Sequence, residues 1–513
     1  MKLILVIVSI IVLGTCSSSS SKKMIDTSMG TLRANVLDNG VVEALNIPFA
    51  KPPVKELRFS RPREPVPWKP NILDATKFGP MCVQREATKP ISEDCLQLNI
   101  WTPSIQPNVS LPVYVWSFGG GLVSGSGINF NGTRLSSMND IVVVTLNYRL
   151  GALGTYASME IAKENDGATG ALNSVLDILQ ACRWVRDHIA AFGGDPKRIV
   201  LGGESSGSVS SSVLAFSNLT GSILSGLVLE SGVATGPWFG PNYTISESLE
   251  ISRTFARELV GDDDDGDDET FTYLNKLRDL DVLEIMNSDN FETLNYAVDS
   301  YLIHDDRPRN LPLLFRGNVL IGGNNGDTTC RSSDATPQAP NSTEELENLL
   351  GMYFFEDTKE VLTPYLTSCE ECSPAEIFYR MSRDAGVICP ASRFARRVVK
   401  SGQQVFTYLF SYNASSPTYH VWHGGEVHCI FQNTSTTKEK KLCEIAGQDW
   451  GEFIKSLDYP SQYPSYRAYE ANGRVHTISG QFDRIGLCES FWAKYISRGD
   501  IQESRVDAFG YLC

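Results

Sequence analysis

Residues 200–209 read VLGGESSGSV and set Ser205 between Gly203 and Gly207 in the frame G-x-S-x-G, behind an apolar run and ahead of a segment able to form a helix. The frame alone does not separate an activated nucleophile from a glycine-rich turn, because three fixed positions recur by chance. Its surroundings decide. A nucleophilic serine of this type sits on a sharp turn between a buried strand and a helix. It also needs a glycine-rich oxyanion loop upstream, and an acid and then a histidine downstream.

The flanking pattern supplies the strand and the helix. LPVYVWSF (111–118), IVVVTLNYRL (141–150), RIVLGG (198–203) and SGLVLESG (225–232) are short, continuous and rich in β-branched residues, as strands buried on both faces are. Between the second and third lies SVLDILQACRWVRDHIAAFGG (174–194). Its Val175, Leu176, Ile178, Leu179, Cys182, Val185 and Ile189 recur at helical spacing, with Gly193 and Gly194 as a stop. Strand, helix, strand, turn and helix in that order predict an α/β fold, a large and mostly parallel sheet with crossover helices. No internal repeat or Pro/Ser-rich linker divides the chain, so residues 24–505 read as one domain. GDDDDGDDET (261–270) lacks the ligand spacing of a calcium loop and reads as a solvated loop.

The remaining parts can be placed in the same way. Glycines at 203 and 207 leave room where side chains would crowd a strained serine, and the helix that follows points free N–H groups at the site. WSFGGGLVSGSG (116–127) follows a strand, and its consecutive glycines let backbone N–H groups approach a substrate oxygen. Gly120, Gly121 and Ser206 are therefore the expected oxyanion donors. The chain has six histidines. His188 lies in the helix before the turn, His304 precedes the expected acid and His476 sits in a polar, turn-like region. His420, His423 and His428 cluster in YHVWHGGEVHCIF (419–431), behind the strand-like QVFTYLFSY (404–412). His423, followed by two glycines, is free to turn its ring toward Ser205. For the acid, VLIGGNNGDTTC (319–330) ends an apolar strand in a loop that presents Asp327, with Asp305 and Asp306 as competitors.

Composition narrows the function classes. The 513 residues are 42% hydrophobic and 20% charged, enough for a large core. A net charge of −15 argues against nucleic acid as a partner. MKLILVIVSIIVLGTCSSSS (1–20) joins Lys2 to an apolar stretch and then small polar residues, so residues 1–18 read as a secretory signal; a lipid-modified Cys16 is the rival reading. Asn108, Asn131, Asn218, Asn242, Asn341, Asn413 and Asn433 each head a glycosylation sequon. No further apolar segment has membrane length, so the expected location is extracellular, as a glycoprotein. Removing Cys16 from the 12 cysteines leaves an odd number. Cys369 and Cys372 suggest a local or mixed disulfide, Cys429 and Cys443 a second pair, and Cys182 a buried free thiol. Cys513 offers a thiol able to join two chains as a homodimer.

At this point the chain resembles the type-B carboxylesterase and cholinesterase family, whose fold is that of the α/β-hydrolases, and the likeness covers nearly all of residues 24–505. It rests on GTLRANVLDNGVVEALNIPFAKPPVKELRFSRPREPVPW (30–68), SEDCLQLNIW (92–101), NYRLGALG (147–154) and IAAFGGDPKRIVLGGESSG (189–207). The resemblance implies Ser205, Asp327 and His423 as a catalytic triad, Gly120 and Gly121 in the oxyanion hole, and Glu204 as an electrostatic support. It also implies disulfides Cys82–Cys95 and Cys389–Cys488, small-molecule ester substrates, and no metal or organic cofactor. This chain has Asp327 where the family usually carries glutamate. Between Cys82 and Cys95 it has only VQREATKPISED (83–94), without the tryptophan that cholinesterases place against choline. The expectation is a general carboxylesterase. A lipase, a cholinesterase-like enzyme and a non-catalytic adhesion member of the same fold are the alternatives.

Overall fold

The apolar runs pair side by side because each is buried on both faces and no edge position would tolerate it. The computed structural model describes residues 21–458 except 107, 237–242, 262–271, 293–295, 304–310, 328–339, 355–357, 411–420 and 432–436, together with 466–469 and 475–477. Its strands are β1 (Lys22–Thr27), β2 (Gly30–Val36), β3 (Val42–Pro48), β4 (Leu73–Ala75), β5 (Met81–Cys82), β6 (Ile91–Ser92), β7 (Gln97–Thr102) and β8 (Leu111–Ser117). β9 (Val142–Leu146), β10 (Gly194–Glu204), β11 (Gly226–Glu230), β12 (Asn318–Asn324), β13 (Val405–Phe410), β14 (Tyr466–Tyr469) and β15 (Val475–Thr477) follow.

One sheet runs in the order β1-β2-β3-β7-β9-β8-β10-β11-β12-β13-β14-β15, with β4 beside β2, while β5 and β6 form a separate pair. From β9 to β14 every neighbour is parallel. β1, β2, β3 and β7 pair in antiparallel fashion at one end of the sheet, and β15 does so at the other. The four predicted strands are β8, β9, β10 and β11, and the predicted helix spans Asn173–His188, with a 3-10 turn to Phe192 before Gly193.

Alternation along the strands fills two layers. Val113, Val115, Val142, Val144, Ile199, Leu201, Leu227 and Leu229 pack with Val175, Ile178, Leu179, Cys182 and Val185 of the Asn173–His188 helix. Tyr114, Trp116, Val143, Val200, Val228 and Leu320 face the opposite layer, against Leu442, Ala446, Trp450 and Phe453 of the helix Thr437–Ser456. A parallel sheet covered on both faces exposes its chemistry only at the strand ends. The carboxyl ends of β8, β10, β12 and β13 lead, in turn, to Gly119–Gly121, Ser205, Asp327 and the His423 loop.

Candidate active site

The turn at Ser205 is as strained as the frame requires. β10 ends at Glu204, the helix Ser206–Val213 begins one residue later, and Ser205 between them has φ 54° and ψ −128°. Its N–H donates to the Glu230 carbonyl at 2.9 Å and its carbonyl accepts from Val209 N–H at 2.9 Å, so both sides of the turn are fixed. A β-carbon at Gly203 would lie 2.6 Å from Ser117 Oγ, and one at Gly207 would overlap the carbonyl oxygens of Ser117 and Phe118. The two glycines let β8 pass behind the turn. Backbone strain of this kind costs roughly 1–3 kcal/mol and survives only where the surroundings over-determine it.

The glycine loop lies against this turn. Gly120 and Gly121 have φ of 119° and 63°. The Gly120 carbonyl accepts from Val123 and Ser124 N–H, which turns the loop back on itself, and Leu122 N–H donates to Ser206 Oγ at 3.3 Å. Among the described residues, the N–H groups of Gly120, Gly121 and Ser206 donate no hydrogen bond. Three unengaged donors from two adjoining backbones suit an oxygen that gains negative charge.

His423 and Asp327 approach from the next two strand ends. Asn325 and Gly326 are zipped to the histidine loop: Asn325 N–H donates to the Phe410 carbonyl at 2.9 Å, Gly326 N–H to the Val421 carbonyl at 3.0 Å, and Val421 N–H to Asn325 Oδ1 at 2.6 Å. His423 Nδ1 then lies 3.3 Å from Asp327 Oδ1, while Asn324 holds that carboxylate through its backbone N–H and side-chain amide. The other ring nitrogen, Nε2, lies 3.3 Å from Glu204 Oε1, beside Ser205. This contact has the distance of an ion pair, but the alignment is not that of a hydrogen bond. Gly424 permits the approach, since a β-carbon there would meet Glu204 Oε1 at 3.0 Å.

Electrostatics favour a charged ring. Burial lowers the imidazolium pKa, but the Glu204 charge, the Asp327 hydrogen bond and charge, and the Glu426 charge more than offset it and leave His423 at about 9. Burial raises the Glu204 carboxyl; His423 opposes that rise and Asp327 adds to it.

A buried acid network behind the triad positions was missed by sequence reasoning. Glu426, fully buried, accepts from Tyr408 OH at 3.1 Å, from Ser231 Oγ at 3.3 Å and from the same Asn324 amide that holds Asp327. Burial, with the charges of Asp327 and Glu204, lifts it to about 8 against the Asn324 hydrogen bond. Glu230 accepts from Trp450 Nε1 at 2.8 Å and is held well above the ordinary carboxyl range, chiefly by burial and then by Glu426. The signal was in the sequence: each is a lone glutamate in an otherwise apolar or glycine-rich stretch.

Of the other histidines, His188 closes its helix and meets Ser28 Oγ at 2.9 Å, and His428 turns its Nδ1 to the Gly425 carbonyl. His476 lies in β15 rather than in a turn, because Val475–Thr477 pairs with β14. His304, His420, Asp305, Asp306 and the acidic run from 262 on lie outside the described residues. Disulfides Cys82–Cys95, Cys369–Cys372 and Cys429–Cys443 form, and Cys182 is free and buried. Cys389 is disulfide-bonded; Cys488 and Cys513 lie outside the described residues.

The carboxylesterase family model matches residues 21–485. The chain belongs to the carboxylesterase family. Its fold is accordingly the α/β-hydrolase fold that the parallel sheet and its flanking helices describe. Among curated proteins it is similar to a medium-chain fatty acyl-CoA hydrolase precursor of Anas platyrhynchos, 39% identical over 220 residues, or 40% of this chain and 38% of that one. It is similar to an acylcarnitine hydrolase of Mus musculus, 41% identical over 239 residues, 43% of this chain and 40% of that protein. A longer match, 27% identical over 510 residues, covers 86% of this chain and 81% of an acetylcholinesterase of Bungarus fasciatus. The chain thus spans well under half of the two more identical carboxylesterase-family relatives.

Proposed function

We propose that this carboxylesterase-family chain is a serine hydrolase that cleaves carboxylic esters by two-step acyl transfer. Ser205 is the nucleophile, His423 the general base and then acid, and Asp327 the carboxylate that fixes the ring and stabilises its charge. Gly120, Gly121 and Ser206 supply the oxyanion N–H groups, and Glu204 adds negative charge at Nε2. In the first step the Ser205 oxygen attacks the ester carbonyl, its proton passes to His423, and the alcohol leaves with that proton. Water then repeats the sequence and releases the acid.

The observation that carries this reading is the meeting of four strand ends: a strained serine, an imidazole flanked by two carboxylates, and three unengaged backbone donors. No step calls for a metal or an organic cofactor.

The substrate class we favour is a soluble or moderately apolar ester. Residues 83–94 carry no aromatic ring to receive a choline cation, which weighs against the reaction named for the Bungarus fasciatus relative. We further propose export after removal of residues 1–18, with glycans on the sequon asparagines. Asn108, Asn131, Asn218 and Asn341 are all exposed, which suits glycosylation; Asn242, Asn413 and Asn433 lie outside the described residues. Among the described residues no helix is long and apolar enough to cross a membrane. Dimerisation through Cys513 belongs to the same proposal.

Hydrolysis of a p-nitrophenyl ester by the wild type and by Ser205→Ala tests the core of it, together with labelling by a fluorophosphonate. Loss of both activity and label in the variant is expected. Undiminished turnover by Ser205→Ala would refute the assignment, and an unlabelled wild type that turns over nothing would favour a non-catalytic surface protein.

A further inference from the structure

The glycine loop from Phe118 to Gly127 is anchored firmly at its two ends. Phe118 stacks on Tyr148 with ring centroids 4.3 Å apart, and Tyr148 OH donates to the Phe118 carbonyl at 2.6 Å. At the far end Asn147 Oδ1 accepts from Ser126 Oγ at 2.8 Å and from Gly127 N–H at 2.9 Å. Between these anchors the loop carries a run of glycines with positive φ, conformations that leave its peptide planes free to rotate unless something holds them.

Leu122 is tied to Ser206 Oγ and to Gly151 N–H, and the Gly120 carbonyl accepts from Val123 and Ser124 N–H; the next peptide, at Gly125, is held by Gln84. Its amide makes both hydrogen bonds of one residue: Gly125 N–H donates to Oε1 at 2.9 Å, and Nε2 donates to the Gly125 carbonyl at 2.8 Å. Nε2 also reaches the Cys82 carbonyl at 3.0 Å. The side chain is 1% exposed, so water does not replace these bonds easily. The three partners fix which end of the amide is oxygen, because one donor and two acceptors face it. Gln84 itself is anchored two residues from the Cys82–Cys95 disulfide, and the next residue, Arg85, donates to the carbonyls of Met286 and Ser288. Gly125 has φ 113°, and a β-carbon there would meet the Phe118 ring at 2.5 Å, so this residue sits tightly under the loop's entry.

We propose that Gln84 is a positioning residue for the oxyanion donors: by clamping the Gly125 peptide it fixes the direction of the Gly120 and Gly121 N–H groups without touching substrate. This rests on the reading of those two glycines as oxyanion donors. Glutamine fits the task because one planar group supplies both a donor and an acceptor at the reach required. Methionine matches its length but supplies neither, and glutamate keeps the acceptor and loses the donor unless it is protonated.

The test compares wild type, Gln84→Met, Gln84→Glu and Ser205→Ala with a p-nitrophenyl ester and with an aryl trifluoromethyl ketone, whose tetrahedral adduct places an oxyanion in the hole. Gln84→Met is expected to lower kcat by about tenfold to a hundredfold, the scale of an ångström-level misplacement. It should weaken the ketone by a similar factor and leave KM within about twofold. A merely structural role would lower the unfolding midpoint without that selectivity for the tetrahedral adduct. Gln84→Glu carries its own signature: its kcat relative to wild type rises as the pH falls, because the protonated acid again donates to the Gly125 carbonyl. Should Gln84→Met fail to fold, that ratio decides. A Gln84→Met enzyme with wild-type kcat and ketone affinity, or a pH-independent Gln84→Glu ratio, overturns the clamp while an inert Ser205→Ala leaves the hydrolase reading standing. An active Ser205→Ala instead removes the reading on which the clamp rests.

Discussion

Replacing Glu204 with glutamine keeps the shape of the side chain and removes its charge 3.3 Å from His423 Nε2. At an effective dielectric constant of about 20, a unit charge at that distance is worth about 5 kcal/mol. The net effect on the ring is smaller, because burial opposes it and the Glu204 carboxyl is itself raised. His423 stands at about 9 against an ordinary 6.5, and Glu204 is the largest of the contributions that raise it. Its removal should therefore bring the ring's pKa down. The assay is the pH dependence of kcat/KM for a p-nitrophenyl ester, with uncatalysed hydrolysis subtracted, because the acid limb reports the free enzyme's base. Glu204 stabilises the imidazolium both in the resting enzyme and in the transition state. Below the acid limb of the variant the two enzymes should thus run at similar rates, while its alkaline plateau falls about tenfold for each pH unit by which the limb moves. An acid limb that stays where the wild type has it would refute the claim that Glu204 sets the ring's charge.

Other outcomes follow from the same geometry. Gly207→Ala forces a β-carbon into the carbonyls of Ser117 and Phe118, so it should lower the urea midpoint sharply or prevent folding, whereas Gly351→Ala, inside the helix Thr343–Phe354 with Thr358 Oγ1 the nearest neighbour at 3.9 Å, should change it little. Asp177→Asn strips the partner from Arg149, whose guanidinium it holds at 2.7 and 2.8 Å with both side chains buried, and should cost about 3–5 kcal/mol by denaturant unfolding. Glu426, at about 8 rather than 4.5, and His423, at about 9 rather than 6.5, both bind protons more tightly in the folded chain. Their stabilisation is complete below the unfolded values and fades as pH rises through the folded ones, so unfolding free energy should fall from about pH 4.5 to 9, on the order of 1 kcal/mol per pH unit where one group dominates. Glu426→Gln should flatten the lower part of that slope; a slope unchanged in the variant would contradict the assignment.

How much of this was legible in the chain depends on the range of the interaction. β8 to β11 and the Asn173–His188 helix announce themselves because burial on both faces, or on one helical face, writes its period into neighbouring residues. The serine turn is legible for the same reason: its glycines answer to atoms of β8, yet the constraint falls on residues 203 and 207 themselves. The antiparallel strands β1 to β3 alternate buried and solvent-facing residues less regularly, and they stood out only through the family resemblance. Of the acid network the chain shows the glutamates, each alone in an apolar or glycine-rich stretch, but not their partners. Glu230 meets Trp450 across 220 positions and Glu426 meets Ser231 across 195, so neither partner predicts the other by spacing. Gln84 is the same case in a smaller loop, a polar residue whose purpose is visible only once Gly125 lies against it.

In the proposed triad the acid is Asp327, where the resemblance leads one to expect a glutamate. An aspartyl carboxylate stands one methylene closer to its backbone than a glutamyl one, so the backbone itself must come nearer the imidazole. Asn325 and Gly326 pair directly with Phe410 and Val421, which sets the loop that carries Asp327 against the loop that carries His423 before either side chain is considered. The pairing leaves no room behind it: a β-carbon at Gly323 would run into Asp327 Oδ2 and lie 3.0 Å from Val387 Cγ1. Asn324 then caps the carboxylate with its own N–H at 2.5 Å, which orients the remaining oxygen to Nδ1. The short reach of Asp327 to the ring thus rests on main-chain pairing, and Gly323→Ala should disturb it, because the added β-carbon would meet Asp327 Oδ2.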